Sequence, residues 1–224
     1  MAFQHPLHDI DFEALYRQHM AATGRRKTAA DWDARAAHAT LPRADDAYVA
    51  AVVAHLKLGS CTSLLDVGCG PGHIALAVAP HVPTVIGMDH SPGMLARLSE
   101  FAQARGHTHV QPLLRSWDEP WDDVPVCDVV VASRSTLVHD MGDALRKLNA
   151  HARQAVHVTS LVGGRFRDVS AQLAAGQPVP PPLPDHIYIV NILYAMGIVA
   201  EVRLLPAAPG DARWALVSWT PGGA

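Results

Sequence analysis

The sequence has few cysteines, no long run of basic residues and no long apolar run. Its three cysteines are an odd number and do not form a disulfide framework, which favours a reducing cytoplasm. The net charge is -3 and the longest basic run is Arg25, Arg26 and Lys27, which argues against binding to a nucleic-acid backbone. No apolar stretch reaches the roughly 18 residues that span a bilayer, and the start, MAFQHPLHDI, lacks the regions of a targeting signal. These absences predict a cytoplasmic protein whose partner is a small molecule rather than a nucleic acid or a membrane.

The composition is that of a compact folded domain. The chain has 224 residues, of which 49% are hydrophobic and 17% charged. One α/β domain can use this length, whereas two full domains would need more. We therefore predict a single domain over residues 1–224, with a helical leader at 1–60 and the core at 61–224.

The most informative segment is LLDVGCGPG at residues 64–72, in which a short apolar strand runs into a turn with three glycines. Glycines permit positive φ and remove every Cβ, so a flat ligand can lie against the backbone. The third glycine stands one position earlier than in the dinucleotide fingerprint GxGxxG. Asp66, at the end of the strand, would repel a phosphate and favours a cationic ligand. The glycines are Gly68, Gly70 and Gly72.

A second acid follows at the spacing that a ribose ligand requires. The apolar strand predicted at 84–88 is followed by Asp89, about 20 residues after the glycines, where a carboxylate can accept both ribose hydroxyls. Ser91 then has the position of an N-cap and Pro92 that of the first residue of a helix predicted at 92–105. We therefore expect Asp89 to bind a ribose.

Together these segments, LLDVGCGPG and VIGMDHSPGML, resemble the first two motifs of the class I, Rossmann-like methyltransferases that use S-adenosylmethionine. The resemblance is motif-specific over residues 64–95 and covers about 58–220 in architecture. It implies S-adenosylmethionine as the cofactor and methyl transfer as the activity. The residues that it assigns to the cofactor in these motifs are Asp66, Gly68, Cys69, Gly70, Gly72, Asp89, His90, Ser91 and Met94.

Candidate strands alternate with helical patterns along the chain, which predicts an α/β fold with a mostly parallel sheet and helices on both faces. The last two strands are joined only by PAAPGDAR, too short for a crossover helix, so they should form an antiparallel hairpin. The resemblance implies seven strands as well, with the antiparallel seventh strand between the fifth and sixth. The predicted strands are 63–67, 84–88, 110–114, 128–132, 155–160, 199–205 and 214–220.

Further cofactor contacts are expected beyond the carboxyl ends of the third and fourth strands, where ligands bind in open α/β sheets. Members of the family usually have an acid after the third strand for the adenine amino group. This chain has Ser116 there, which leaves the adenine contact open among Ser116, Trp117 and Asp118. Ser133 follows the fourth strand, near the expected methionine part of the cofactor. Arg134 is expected either to bind substrate or to pair with a structural acid.

The leader has two alternative roles, plain packing at the sheet or closure over the cofactor. Helices equivalent to the leader often close over the cofactor in small-molecule methyltransferases, so we predict a lid at residues 28–36, with Trp32 in contact with the substrate. The cluster Arg25, Arg26 and Lys27 is either a solvated helix end or a contact for an anionic substrate.

Methyl transfer chiefly requires a positioned nucleophile and exclusion of water, and a histidine can serve as base. By chain position the candidate bases are His139, after the fourth strand, and His186, after a stiff proline-rich loop at 176–184. Tyr188 and Asn191 follow His186 at helical spacing and are expected to line the acceptor pocket.

The acceptor atom is left open among oxygen, nitrogen and carbon. The segment after the fourth strand reads ASRST, without the (D/N)PP(Y/F) motif of enzymes that methylate adenine or glutamine nitrogen and without a Pro-Cys nucleophile. Histidine pairs lack companion ligands, so no metal is expected. Two alternatives stand beside methyl transfer: a non-catalytic S-adenosylmethionine-binding regulator or scaffold, and an NAD(P)-dependent oxidoreductase. The sequence predicts no oligomeric state.

Overall fold

A computed structural model describes residues 6–24, 27–43, 45–167 and 169–222, so Arg25 and Arg26 of the predicted basic cluster lie outside the described residues. One seven-stranded sheet has the order β3-β2-β1-β4-β5-β7-β6. Its strands are β1 Ser63–Val67, β2 Thr84–Asp89, β3 Val110–Leu114, β4 Cys127–Ala132, β5 Ala152–Leu161, β6 Glu201–Leu204 and β7 Trp214–Trp219.

The sheet is parallel from β3 to β5 and antiparallel at β7. β7 lies between β5 and β6 and is antiparallel to both, so the predicted hairpin and the predicted place of the seventh strand are confirmed. β4 is buried along its whole length because helices cover both faces of the sheet, and this is why it reads as an unbroken apolar run after Asp128.

Two strands, β5 and β6, have a boundary that differs from the prediction by more than one residue. β5 begins at Ala152, three residues before the predicted start, because the chain enters the sheet directly after helix α6, Met141–Ala150. β6 is shorter than the predicted 199–205. It is an edge strand that pairs only with β7, from Glu201 opposite Ser218 to Leu204 opposite Ala215, and its four residues are exposed.

In the described part of the chain, three helices of the leader precede the sheet and five more stand between its strands. The leader helices are α1 Phe12–Ala22, α2 Ala29–Ala36 and α3 Ala47–Val53, after a 3-10 turn at Pro6–Asp9. The later helices are α4 His73–Val78, α5 Pro92–Ala104, α6 as given above, α7 Ser170–Ala174 and α8 His186–Ala195. The predicted start of α5 is confirmed, since the Ser91 hydroxyl accepts the Met94 N–H and Pro92 is the first helical residue.

The two faces of the sheet bury separate apolar clusters. Tyr16 of α1, Leu145 of α6 and Ile192 of α8 pack on one face, whereas Val52 of α3 and Leu98 of α5 pack on the other. The sheet therefore has helices on both faces, as the α/β pattern predicted. Among the described residues no helix combines the length and the apolar character that crossing a bilayer requires.

Candidate functional site

The glycine turn between β1 and α4 is shaped by packing on two sides and open on the third. All three glycines have positive φ, at 67°, 55° and 93° for Gly68, Gly70 and Gly72. A Cβ at Gly68 would overlap Ser135, and a Cβ at Gly72 would overlap Leu98. A Cβ at Gly70 would meet no atom within 4 Å, so the middle glycine faces open space. This is the surface on which a ligand can approach the backbone.

Every backbone N–H group of the turn at residues 68–72 already has an acceptor inside the protein. The acceptors are the carbonyl oxygens of Met88 and Cys69 and the carboxylate of Asp89, at 2.7 to 3.0 Å. Pro71 has no N–H group. A phosphate-binding turn works by offering free N–H groups, so this turn does not suit a pyrophosphate. The NAD(P) alternative loses its main support here.

Asp66 lies beneath the turn and is almost fully buried, with 1% of its surface exposed. One of its oxygens accepts the N–H of Ala75 in α4 at 3.0 Å, which joins the end of β1 to the helix. Burial raises the pKa of Asp66 to about 7, and the charge of Asp89 acts in the same direction. A cation bound nearby would favour the ionised form, so the site suits a positively charged ligand.

Asp89 ends β2, and its carboxylate stands beside the turn. One oxygen accepts the N–H of Gly70 at 2.9 Å and the other accepts the N–H of Ser91 at 2.9 Å. His90 Nδ1 lies 3.5 Å from the second oxygen. Each carboxylate oxygen keeps further lone-pair capacity, and the group is next to the open space at Gly70. The arrangement fits a ligand with two neighbouring hydroxyls, and ribose binding by Asp89 stays a prediction.

The leader helix α2 is attached directly to the start of α5. One carboxylate oxygen of Asp33 accepts the Ser91 hydroxyl at 2.6 Å and the Gly93 N–H at 2.8 Å. This contact adjoins Asp89, so α2 is placed to cover that side of the site. The ring of Trp32 has the Lys27 ammonium 4.8 Å from its centroid, and its predicted role in substrate binding stays a prediction.

After β3 the chain forms a tight turn around Ser116. The Ser116 N–H is held by Glu119 at 2.6 Å, and its hydroxyl accepts the Asp118 N–H at 3.3 Å. The ring of Trp117 lies 5.4 Å from that of Trp121 and packs against the core. Glu119 is an acid that sequence reasoning did not single out. The adenine contact of Ser116, Trp117 and Asp118 stays a prediction.

At the end of β4 a polar cluster joins the sheet to the leader helix α3. The Tyr48 hydroxyl donates to Thr159 Oγ1 at 2.8 Å and lies 2.9 Å from the Ser133 hydroxyl. Burial raises the pKa of Tyr48. Arg134 follows with φ 58°, and its guanidinium carbon is 3.4 Å from the centroid of the Tyr48 ring. No carboxylate of the described residues pairs with Arg134, which removes support from its predicted structural ion pair.

The two candidate bases have different surroundings. His139 is an exposed residue in the loop before α6. His186 begins α8 and is partly buried, with Nδ1 3.3 Å from the carbonyl oxygen of Leu161 at the end of β5. Because a carbonyl can only accept, this contact places the proton on Nδ1 and leaves Nε2 as an acceptor. Both histidines stay predictions as bases.

Tyr188 and Asn191 make contacts within the helical layer. The Tyr188 hydroxyl is 3.1 Å from His19 Nδ1, and its ring lies 5.6 Å from that of Tyr16, so Tyr188 belongs to the contact between α1 and α8. Asn191 donates to the carbonyl of Ile187, one turn earlier in its own helix, at 2.8 Å. Their predicted place in the acceptor pocket is not supported by any of these contacts and stays a prediction.

Comparison with known proteins bears on the family and the fold of this chain. Residues 64–157 match a family described as a methyltransferase domain. An uncharacterized protein of Haemophilus influenzae is 36% identical over 207 residues, which are 91% of this chain and 77% of that protein. The solved YcgJ protein from Bacillus subtilis has a TM-score of 0.62 at 14% identity over 79% of this chain and 99% of its own. Magnesium protoporphyrin IX methyltransferase from Synechocystis PCC 6803, solved with bound S-adenosylhomocysteine, has a TM-score of 0.57 at 16% identity over 93% of this chain and 100% of its own.

The chain belongs to the class I, Rossmann-like S-adenosylmethionine-dependent methyltransferases. It is an enzyme, and its cofactor is S-adenosylmethionine. The geometry fits that cofactor: the middle of the glycine turn is open, the turn has no free N–H group for a phosphate, and two carboxylates lie beside it.

Proposed function

We propose that the enzyme transfers the methyl group of S-adenosylmethionine to a small molecule bound over the carboxyl edge of the sheet, beside β4 and β7. The observation that carries this proposal is a cavity of about 650 Å³ at the ends of β5, β6 and β7, with Trp214 in its wall. Small-molecule sites usually have volumes of roughly 300 to 1,000 Å³. The cavity lies on the same edge as the glycine turn, because β7 is antiparallel and Trp214 pairs with Leu161 at the end of β5.

In this proposal the cofactor lies over the ends of β1, β2 and β4. Asp89 accepts the ribose hydroxyls, the open face of Gly70 takes the adenosyl group, and Asp66 supplies negative charge beneath. Ser133 lies toward the methionine part. These assignments are supported by the contacts of Asp89 with Gly70 and Ser91 and by the burial of Asp66.

When bound, S-adenosylmethionine supplies a methyl carbon on a positively charged sulfur; a lone pair of the acceptor forms the new bond while the electrons of the carbon–sulfur bond stay on the sulfur. The task of the chain is to orient the acceptor and exclude water. In this proposal α2 covers the ribose side through its Asp33 contacts and α3 covers the β4 side through Tyr48. If the acceptor is a hydroxyl or an ammonium group, His186 Nε2 takes its proton.

A small acceptor is also consistent with the net charge of -3 and with the acceptor of one structural neighbour. The Synechocystis enzyme is named for magnesium protoporphyrin IX, which is a small molecule. The likeness to this enzyme supports a small molecule as the acceptor, but it does not support magnesium protoporphyrin IX itself.

We also propose a single domain and a reducing cytoplasm. Both apolar clusters pack on opposite faces of one sheet, which supports one folding unit. Cys61, Cys69 and Cys127 are all free and buried, which suits a compartment that keeps thiols reduced.

Incubation with methyl-labelled S-adenosylmethionine and a metabolite panel, followed by mass spectrometry, tests the proposal. We expect label in at least one small molecule, together with formation of S-adenosylhomocysteine, and several-fold less label with Asp89→Asn at the same sub-saturating cofactor concentration. Label that appears only in RNA or protein would contradict the small acceptor. Tight binding of S-adenosylhomocysteine without transfer to any acceptor would favour the regulator or scaffold alternative.

A further inference from the structure

The arginines that the structure describes fall into two groups. Seven of them pair with a carboxylate within 4.0 Å, and they are Arg17, Arg43, Arg97, Arg115, Arg146, Arg153 and Arg203. Among the described residues six others have no carboxylate at that distance. Arg35 of this second group lies over the Trp32 ring, and Arg105 donates to the carbonyl of Pro42. The remaining four are Arg134, Arg165, Arg167 and Arg213.

These four arginines lie around one region, the cavity at the ends of β5, β6 and β7. Arg165, Arg167 and Arg213 line it. Arg134 lies beside it, with its guanidinium carbon 5.5 Å from the centroid of the Trp214 ring in the cavity wall. Asp211 is the one carboxylate among the described lining residues, while Asp168 falls outside the described part of the chain. Among the described residues of this region, arginines therefore outnumber carboxylates by four to one, in a protein of net charge -3.

Arg134 is held in a costly conformation. Its φ of 58° makes it the one residue other than glycine with positive φ in the described chain. The backbone is fixed by its N–H, which donates to Thr159 Oγ1 at 2.8 Å, and the guanidinium is stacked on Tyr48. Such strain persists where the surroundings hold it and is frequent at ligand sites. Stacking leaves the edge of the guanidinium plane, with its N–H donors, available to an anion.

We propose that the methyl acceptor carries a carboxylate, and that Arg134 and Arg213 bind this group while the rings of Tyr48 and Trp214 flank the apolar body of the molecule. The inference rests on the proposed function and adds the chemical class of the acceptor. Arginine is the side chain best suited to a carboxylate, because two parallel N–H groups can donate to its two oxygens. Neutralisation by a ligand also accounts for why these arginines have no carboxylate partner in the described chain.

The carboxylate of the cofactor's own methionine part is the competing source of the same chemistry. Arg134 is stacked on Tyr48 and also lies beside the Trp214 ring. The other three arginines lie just after β5 and just before β7, and in the sheet order these strands are separated from the glycine turn at β1 by β4. This direction favours the acceptor. The experiment separates the two sources by keeping the cofactor site filled.

The test is calorimetric titration of the full chain, saturated with S-adenosylhomocysteine, with 1-naphthoate and with 1-naphthamide. The two probes share one ring system and differ in charge. We expect naphthoate to bind about tenfold more tightly than naphthamide, and the preference to weaken at high salt. In Arg134→Gln and in Arg213→Gln we expect the preference to fall below about threefold.

The matched control is Arg203→Gln, which removes one positive charge from β6, where Arg203 pairs with Glu201. We expect it to keep the full preference for naphthoate. Glutamine at position 134 has the same backbone restriction as arginine, and Arg213 is exposed, so the second variant provides the test if the first does not fold.

Equal affinity for the two probes, or an undiminished preference in both variants, would overturn the inference. Loss of S-adenosylhomocysteine affinity in Arg134→Gln, with the naphthoate preference unchanged, would assign the arginine to the methionine carboxylate and would also overturn it. Methyl transfer to neutral members of the panel alone would remove the carboxylate requirement and leave the proposed function standing. Absence of any transfer would count against the proposed function instead.

Discussion

Asp89 joins three parts of the site through one carboxylate. Its two oxygens hold the glycine turn at Gly70 and the start of α5 at Ser91, and His90 lies beside them. The same group is the predicted ribose ligand. A change at this residue therefore tests whether cofactor affinity depends on the charge of the carboxylate or on the shape of the turn.

Asp89→Asn keeps an oxygen that can accept one of the two N–H groups and removes the charge. We expect S-adenosylhomocysteine to bind at least about tenfold more weakly, a loss on the order of 1.4 kcal/mol, because hydrogen bonds to a charged acceptor are the stronger ones. Calorimetry gives the affinity, and circular dichroism checks that the fold is kept. An affinity within twofold of the wild type would remove Asp89 from the ribose site.

Sequence reasoning at this scale singled out residues of one local motif that the structure brings together, and it missed residues that arrive from a distance. Asp66, Gly70 and Asp89 lie within 24 positions of one another and have a readable spacing. Tyr48 reaches Thr159 across 111 positions, and no pattern in the sequence connects the two.

At the scale of elements, the three helices of the leader contact different parts of the core. α1 packs on α6 and α8, α2 holds the start of α5, and α3 brings Tyr48 to the end of β4. The packing role that the sequence left open for the leader is therefore seen in α1, whereas closure of α2 over the cofactor stays a prediction. Helical periodicity reports that a face is apolar, but it does not report which surface covers that face.

Removal of the Tyr16 hydroxyl tests the packing role of α1. This hydroxyl is buried and donates to the carbonyl of Val138 at 2.9 Å, and burial raises the pKa of Tyr16. Tyr16→Phe leaves that carbonyl without its donor, so we expect the free energy of unfolding to fall by about 1 to 2 kcal/mol in urea titrations. Leu15→Ala, at an exposed position of the same helix, is the control and should change it little. Equal stability of Tyr16→Phe and the wild type would mean that water replaces the donor.

Removal of the Asp33 carboxylate tests the closure role of α2. Asp33→Ala leaves the Ser91 hydroxyl and the Gly93 N–H without their common acceptor, so α2 should detach from α5 more often. We expect faster amide hydrogen exchange in α2, and faster release of S-adenosylhomocysteine if α2 covers the cofactor. Asp45→Ala, which removes an exposed ion pair with Arg43, should leave both rates unchanged. Unaltered exchange in the Asp33 variant would show that other contacts hold the helix.

At the scale of the whole molecule, burial shifts the pKa values of two side chains in opposite directions, and both shifts make the stability depend on pH. Burial raises the pKa of Asp66 to about 7, so its contribution to stability is full below pH 4 and is lost as the pH rises to 7. His157 in β5 has Nδ1 2.8 Å from the Ser218 hydroxyl, and burial lowers its pKa to about 4. Its contribution is full above pH 6.5 and is lost as the pH falls to 4. Between these limits the two effects oppose each other.

Urea titrations of single variants between pH 4.5 and 6.5 should reveal the two slopes. Relative to the wild type, Asp66→Asn should gain stability as the pH rises, and His157→Asn should lose stability as the pH rises, each by on the order of 2 kcal/mol over the range. Comparison of slopes cancels the pH-independent cost of each substitution. Parallel pH profiles for the wild type and both variants would contradict the two shifted pKa values.

The overall architecture was the part most open to prediction. Alternation of strands and helices predicted the parallel sheet, and the eight-residue connection PAAPGDAR predicted the final hairpin, because both follow from local chain geometry. The basic cavity was not predicted. Its arginines come from the segments after β4, after β5 and before β7, and they become one surface only when β7 inserts beside β5.

The glycine-turn site and the cavity beside β7 are built from different parts of the sequence. The turn and carboxylates come from residues 66–89, whereas the wall around Trp214 comes from segments more than seventy positions later. The segments at 162–173 and 205–213 can therefore differ among related proteins while the glycine turn and its two carboxylates stay unchanged. Related enzymes with this fold can therefore change the acceptor that they bind at the β7 side of the sheet while they keep the same methyl donor.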